Sequence, residues 1–317
     1  MSNMTETQAL KELKFQPNDF EFAHKNKDIE KDEVMPARAA WKDSVSLFVR
    51  NKGAVIGIIC ILVITVFAIV APMLSEWKYD AINTSLQNIA PNAQHWFGTD
   101  NYGRDLWVRL WQGTRISLFV AVAAIFIDVV IGVTYGMISG YFGGKVDSIM
   151  QRIQEVINSI PTLVILTILL MIMKSSLFTI ILALSFTEWI GMSRITRAQV
   201  LKTKEEEFVL ASRTLGAGSF FIIFKEILPN IYSQMIIMVM MSIPNAIFYE
   251  AYLSFVGLGL PIPEASLGTL INDGFNTLTI YPFQMIIPVV VFSILMLSFN
   301  LVGDGLRDAL DPTMKEM

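Results

Sequence analysis

Three acidic residues, Asp128, Glu188 and Glu250, interrupt stretches that are otherwise almost wholly apolar. A carboxylate at membrane depth is costly unless paired, and by default it marks an ion path, a proton relay or a substrate contact. Other reactive side chains are few. The one cysteine, Cys60, lies in the first apolar run and reads as a small lipid- or helix-facing residue. The two histidines, His24 and His95, fall on opposite sides of that run, which leaves no intrachain disulfide and no Cys/His metal cluster. His95 therefore reads as a structural or surface residue of a polar loop. Gly143-Gly144-Lys145 approaches a phosphate loop, but Val146 replaces the required Ser or Thr and Ser139 the first glycine, so it reads as a turn. The sequence contains no His-Glu-x-x-His helix and no Gly-x-Ser-x-Gly elbow. These residues assemble neither a catalytic centre nor an energy source.

The elements carrying them belong in a bilayer. Of 317 residues, 53% are hydrophobic and only 16% charged, which is outside the soluble range. Membrane lipid is the expected solvent. The net charge is −4 and the basic residues are scattered, so there is no continuous basic stripe of the kind nucleic acid needs. The polar tail 1–50 puts the first apolar run too far from Met1 for a cleaved signal peptide.

Spans are expected where about 20 mostly apolar residues cross a core of about 30 Å. Gly53 to Leu74 and Ile116 to Ile138 qualify directly. The run Ile160 to Met192 is too long for one crossing, and Lys174-Ser175-Ser176 is its only strongly polar break. Cytoplasmic loops concentrate Lys and Arg, and breaking the run there places Arg194, Arg197, Lys202, Lys204, Arg213 and Lys225 on the side of the basic N-terminal tail. Two spans, Pro161 to Met173 and Leu177 to Met192, are therefore expected. Ile231 to Val256 and Phe283 to Val302 complete six, with kinks at Pro244 and Pro288. The expected organisation is a polar cytoplasmic tail over 1–50, a first helix over 51–74 and an extracytoplasmic segment over 75–115. A five-helix core follows over 116–303, then a cytoplasmic tail over 304–317. Both termini are expected in the cytoplasm. Lys78, Arg104, Arg109 and Arg115 make the outer segment an exception to the charge rule, offset in part by Glu76, Asp80, Asp100 and Asp105. Asp100, Arg104 and Asp105 read either as an ion-pair clasp over helix ends or as a docking point for an outer partner.

The connection between the fourth and fifth spans has its own pattern. Phe208, Ala211, Ser212 and Leu215 recur at helical spacing, as do Phe220, Ile223, Phe224 and Ile227. The spacing predicts helix, glycine turn, helix, ending at Pro229, with Glu205, Glu206 and Glu207 in the first turn where the helix dipole favours them. Small side chains at Ala211 and Ser212 admit a close partner, and Gly216 permits a sharp bend. An ordinary surface helix would show the same spacing. The residues Val146, Ile149, Met150, Ile153 and Ile157 predict an interface helix that packs on the core and braces this loop.

Leu210-Ala211-Ser212, three residues, Gly216, then Ile227-Leu228-Pro229 resembles the EAA loop of ABC importer permeases. Leu210 stands for the leading Glu, Ser212 for the second Ala and Glu226 for the expected Ile, departures shared with peptide-type permeases. His95-Trp96-Phe97-Gly98-Thr99-Asp100 with Tyr102-Gly103-Arg104-Asp105, the stretch Leu253 to Pro261, and Gly303 to Pro312 also resemble the C subunit of dipeptide and oligopeptide permeases. The resemblance implies an all-α membrane protein of six transmembrane helices with the type I importer, MetI-like fold. It further implies a loop 205–229 that seats in a cytoplasmic ATPase through Phe208, Leu210, Ala211, Ser212, Arg213, Leu215, Gly216, Ala217, Phe220 and Phe221. The implied partners are a homologous second permease, two ATPase subunits that bind the ATP and magnesium, and an extracytoplasmic peptide-binding protein delivering short peptides. No cofactor is expected in this chain. Glu250 is expected as an acid of the pathway or of its framework. The alternatives are an ion-driven transporter using Asp128, Glu188 and Glu250, and a membrane enzyme.

Overall fold

The computed structural model describes residues 37–310, with side chains from residue 42. Most of the N-terminal tail, including His24, and the end of the last motif at Asp311-Pro312 lie outside the described residues. Of a first unit, Met1–Asp43, only the start of helix α1 (Ala37–Arg50) is described; everything else belongs to the second unit, Ser44–Met317.

Within that unit the regular structure of the described residues is helical apart from one isolated bridge, Thr99 with Asp105, and the connection 75–105 is mostly turns and irregular chain. The order is α2 (Lys52–Leu74), α3 (Leu106–Phe142), α4 (Gly144–Asn158), α5 (Thr162–Met173), α6 (Leu177–Thr187), α7 (Trp189–Thr203) and α8 (Glu207–Thr214). A single turn, Ser219–Phe221, then enters a π turn, Ile222–Ile227, that continues into α9 (Leu228–Leu253) and a second π turn, Ser254–Leu258. Helices α10 (Leu267–Asn276) and α11 (Phe283–Leu310) close the fold. Five helical stretches are long and apolar enough to cross a membrane. They are α2, α3, α6 with α7, Ser219–Leu258 and α11; α4 and α5, bent by 76°, make a sixth only together. The break at Lys174 is present, with that residue at φ +62° after α5.

The helix that carries the second apolar run begins well before Ile116. It starts at Leu106, where Asp105 accepts the Val108 N–H as N-cap, and at 37 residues it is about 55 Å long, well beyond the hydrocarbon. The structure corrects two expectations. The segment after Gly216 does not stop at Pro229. The Leu228 N–H reaches back to the Ile223 carbonyl, a π-type bond that shifts the ladder just before the proline, and the helix continues into the fifth span. Finally, α4 does not pack its apolar stripe inward: Val146, Ile149 and Ile153 are exposed. Its polar face makes the contacts. Gln154 donates to Ser193 (2.7 Å), Asp147 takes two bonds from Arg197, and Tyr135 donates to the Met150 carbonyl (2.8 Å). The outward apolar stripe suits a helix lying in a membrane interface.

Helices α3 and α7 lie in close contact because glycines clear the way. A Cβ at Gly132, Gly136 or Gly140 would stand 2.5–3.0 Å from atoms of Trp189, Ser193 or Arg197 backbone. The four-residue spacing puts all three on one face, the small-xxx-small device of membrane helices. The sequence displayed that spacing, but it had not been read as a packing stripe.

Candidate functional site

The connection between α7 and α9 is built around one buried residue. Val209 is fully buried beneath α8, among Val200, Ile222, Ile223 and Ile227. With Val209 inward, the helical period turns Phe208, Leu210 and Ala211 outward. Only Glu207 of the three glutamates lies inside the helix; Glu206 is its N-cap residue and Glu205 precedes it. At the other end Gly216 adopts φ +85°, the left-handed conformation that turns the chain sharply after Leu215. The turn is closed by backbone bonds from Leu215 to the Ala211 carbonyl and from Ala217 to the Ser212 carbonyl.

The residues singled out from sequence therefore form an exposed arc. Leu215 is 88% exposed, Phe220 76%, Phe221 50%, and Phe208 and Leu210 about two-fifths exposed. Ser212 and Ala217 are half-buried, at the edge of the arc. In the segment after the turn, Ile222, Ile223 and Ile227 are buried while Phe220 and Phe224 are out, their rings tilted against each other at 4.5 Å. That division departs from the single face predicted for Phe220, Ile223, Phe224 and Ile227, because the π turn alters the angular step between residues.

The base of the arc is braced. Ser212 Oγ donates to Glu226 Oε1 across the turn (3.3 Å), joining two of the positions at which this sequence departs from the EAA pattern. Arg213 lies over the Tyr141 ring at 5.9 Å, and Lys204 Nζ donates to the Gly140 carbonyl at the end of α3 (3.0 Å). Asp147, gripped by Arg197, also accepts from Ser139 at 2.5 Å. These contacts fix the exposed helix to the neighbouring ends of α3 and α7. Ser212, Arg213 and Glu226 stand out in the sequence pattern, whereas Tyr141 and Asp147 carry no local signal of a bracing role.

Glu250, fully buried, accepts from Ser117 (2.7 Å) and Ser254 (2.9 Å), while Ser117 in turn accepts the Leu267 N–H (3.1 Å). Glu250 thus ties α3, α9 and the start of α10. Asp128 is buried on α3 and Glu188 is half-buried at the α6–α7 junction, within electrostatic reach of each other, and neither shares the hydrogen bonds of Glu250. Since hydroxyl donors serve a neutral amide as well as a carboxylate, Glu250→Gln is expected to keep most transport, whereas Glu250→Leu, which strands the Ser117 and Ser254 hydroxyls, should destabilise the chain by about 2–4 kcal/mol. Uptake assays beside thermal unfolding of both variants check this.

At the opposite end of the bundle, the outer segment forms a clasp. His95 Nδ1 is 2.8 Å from Asp105, and both are buried, which removes the surface reading of His95. Asp100 binds Arg104 (2.7 Å) and Arg109 (3.3 Å), and both guanidiniums reach Asp273 of α10 at 3.7 and 3.9 Å. Burial pushes the Asp273 carboxyl above its ordinary range, with Arg109 and Arg104 pulling it back. Trp107 packs against Trp96, Phe97 and Trp111, sealing the clasp over the ends of α2 and α3.

Residues 132–316 match the family described as binding-protein-dependent transport system inner membrane component, and residues 40–92 the N-terminal TM domain of oligopeptide transport permease C. The oligopeptide transport system permease protein OppC of Bacillus subtilis is 46% identical over 87% of this chain and 90% of its own length. The chain belongs to the binding-protein-dependent inner membrane permeases. The dipeptide transport system permease protein DppC of the same organism is 44% identical over 94% of both chains. Among solved structures, the inward-facing MetNI methionine ABC transporter matches with a TM-score of 0.53 at 21% identity, over 64% of this chain and 96% of that one, which establishes a shared fold. In this permease the matched fold spans α3 to α11, and the helix α2 belongs to the region matched by the N-terminal family.

Proposed function

We propose that this permease forms half of a peptide pathway in a bacterial ATP-driven importer and passes the ATPase cycle to its spans through the loop 205–229. The observation that carries the reading is the exposed apolar arc of Phe208, Leu215, Phe220 and Phe221, presented on a helix anchored by Val209 and turned at Gly216. Exposed aromatic and aliphatic side chains on a braced support have the form of a docking surface. Its occupant is a cytoplasmic ATPase subunit, with Leu210, Ala211, Ser212, Arg213 and Ala217 completing the contact. The other partners are a homologous second permease, a second ATPase and an extracytoplasmic binding protein that delivers short peptides; the binding-protein-dependent family and the oligopeptide and dipeptide permeases among the relatives support the last of these. ATP and magnesium are bound by the ATPases, and this chain needs no cofactor of its own. Both termini lie in the cytoplasm, in keeping with the Lys and Arg around α7 and α8. Nucleotide drives the transport because the inward- and outward-facing states bind it with different affinity.

The test is peptide uptake by vesicles holding this chain with and without the second permease, the ATPases and the binding protein. ATP-dependent uptake is expected only from the complete set. Uptake by this chain alone, dissipated by a protonophore, would replace the reading with an ion-driven one centred on Asp128 and Glu188.

A further inference from the structure

Arg104 and Arg109 are absorbed by the outer clasp, but Arg115, further along α3, is not. Its side chain is exposed and enters no ion pair or hydrogen bond recorded among the described residues. It borders a groove of about 520 Å³ between α2 and α3, with Gln112 one turn earlier and an apolar floor of Thr65, Ala68, Ile69 and Phe119.

The level of that groove matters. The apolar run of α3 begins at Ile116, so by α3 the guanidinium stands at the hydrocarbon boundary. By α2 it stands deeper, because Thr65 is followed by nine more residues of helix to Leu74, roughly 14 Å. A cation there is expensive without a counter-charge, and it extends its head towards one. The described residues supply none. Ile69 and Phe119 at the groove, with Leu62 and Val122 beside it, are about half exposed on helices whose natural solvent is acyl chain.

We propose that the groove is a phospholipid site, in which Arg115 and the Gln112 amide hold the headgroup phosphate and one acyl chain lies along the α2–α3 seam. A single cation at the mouth of an apolar slot is complementary to an amphiphile with an anionic head. A protein carboxylate from another subunit would satisfy the charge and leave the slot empty, so the lipid accounts for both features. Bound there, the lipid fastens the first span to the core.

Native mass spectrometry of the full-length chain, purified with its co-purifying subunits from mixed phosphatidylcholine and phosphatidylglycerol nanodiscs, reads the site directly. Wild type and Arg115→Lys are expected to retain one more phosphatidylglycerol per permease than Arg115→Gln. Thr65→Phe, which fills the slot and keeps the charge, is expected to lose the same lipid. An unchanged lipid count in Arg115→Gln overturns the proposal. Loss of another subunit from Arg115→Gln with the lipid count unchanged also overturns it and assigns the cation to a protein partner.

Discussion

A Gly216→Val permease is expected to reach the membrane in normal amount and to import peptide at background rate. A Cβ at Gly216 meets nothing within 4 Å, so the substitution creates no clash. The penalty lies in the backbone: φ is +85°, a conformation that β-branched residues adopt only as outliers, at a cost of about 1–3 kcal/mol. Relieving it swings Leu215 out of register with Phe220 and opens the Ala217 to Ser212 bond, while the spans are untouched. Asparagine tolerates the left-handed region, so Gly216→Asn should retain most uptake. Quantitative membrane blotting beside ATP-dependent uptake checks the pair, and a well-inserted Gly216→Val chain with normal uptake would remove the coupling role.

Gly136→Val is expected to fail earlier, at folding. Its Cβ would lie 2.5 Å from the Ser193 carbonyl oxygen and 2.6 Å from Thr196 Cβ, neither of which can move without separating α3 from α7. Overpacking of this kind costs about 3 kcal/mol or more, and here it also strains the Gln154–Ser193 and Asp147–Arg197 contacts that seat α4. A melting temperature lowered by roughly 10 °C in detergent is the expected reading. Gly136→Ala should fall between, and an unchanged melting point in the valine variant would mean that the α3–α7 crossing is not close-packed.

How much of this the sequence displayed depended on whether local or tertiary forces decide the feature. Apolar runs and the Lys174 break are set by the solvent, and they were legible. So was the turn at Gly216, since the helical spacing on either side leaves only a few residues for it. The face of α8 was legible as a period but not as a direction, because Phe208, Ala211 and Leu215 look like a core stripe until Val209 is found beneath them. The start of α3 at Leu106 was hidden by Arg109 in its first turn and by the charged residues just before it, whose ion pairs with Asp100 and Asp273 are tertiary and leave no local signal. The serines around Glu250 come from α3, the π turn after α9 and the loop before α10, and no spacing within one helix reveals such a set.

The π turn at Ile222–Ile227 gives the chain one residue of slack. A π turn is in effect one residue more than an α-helix of the same rise would hold, and each residue of an α-helix turns the helix by about 100°. Deleting one residue between Ile222 and Ile227 would therefore restore regular winding while leaving the arc and α9 close to their present relative orientation. The regular part of α9 has no such slack: a residue lost there would turn Phe220 and Phe221 by that angle relative to the rest of the helix. The segment therefore works as local slack in the register between the long helix and the arc it carries, able to give up a residue where the regular winding beside it cannot.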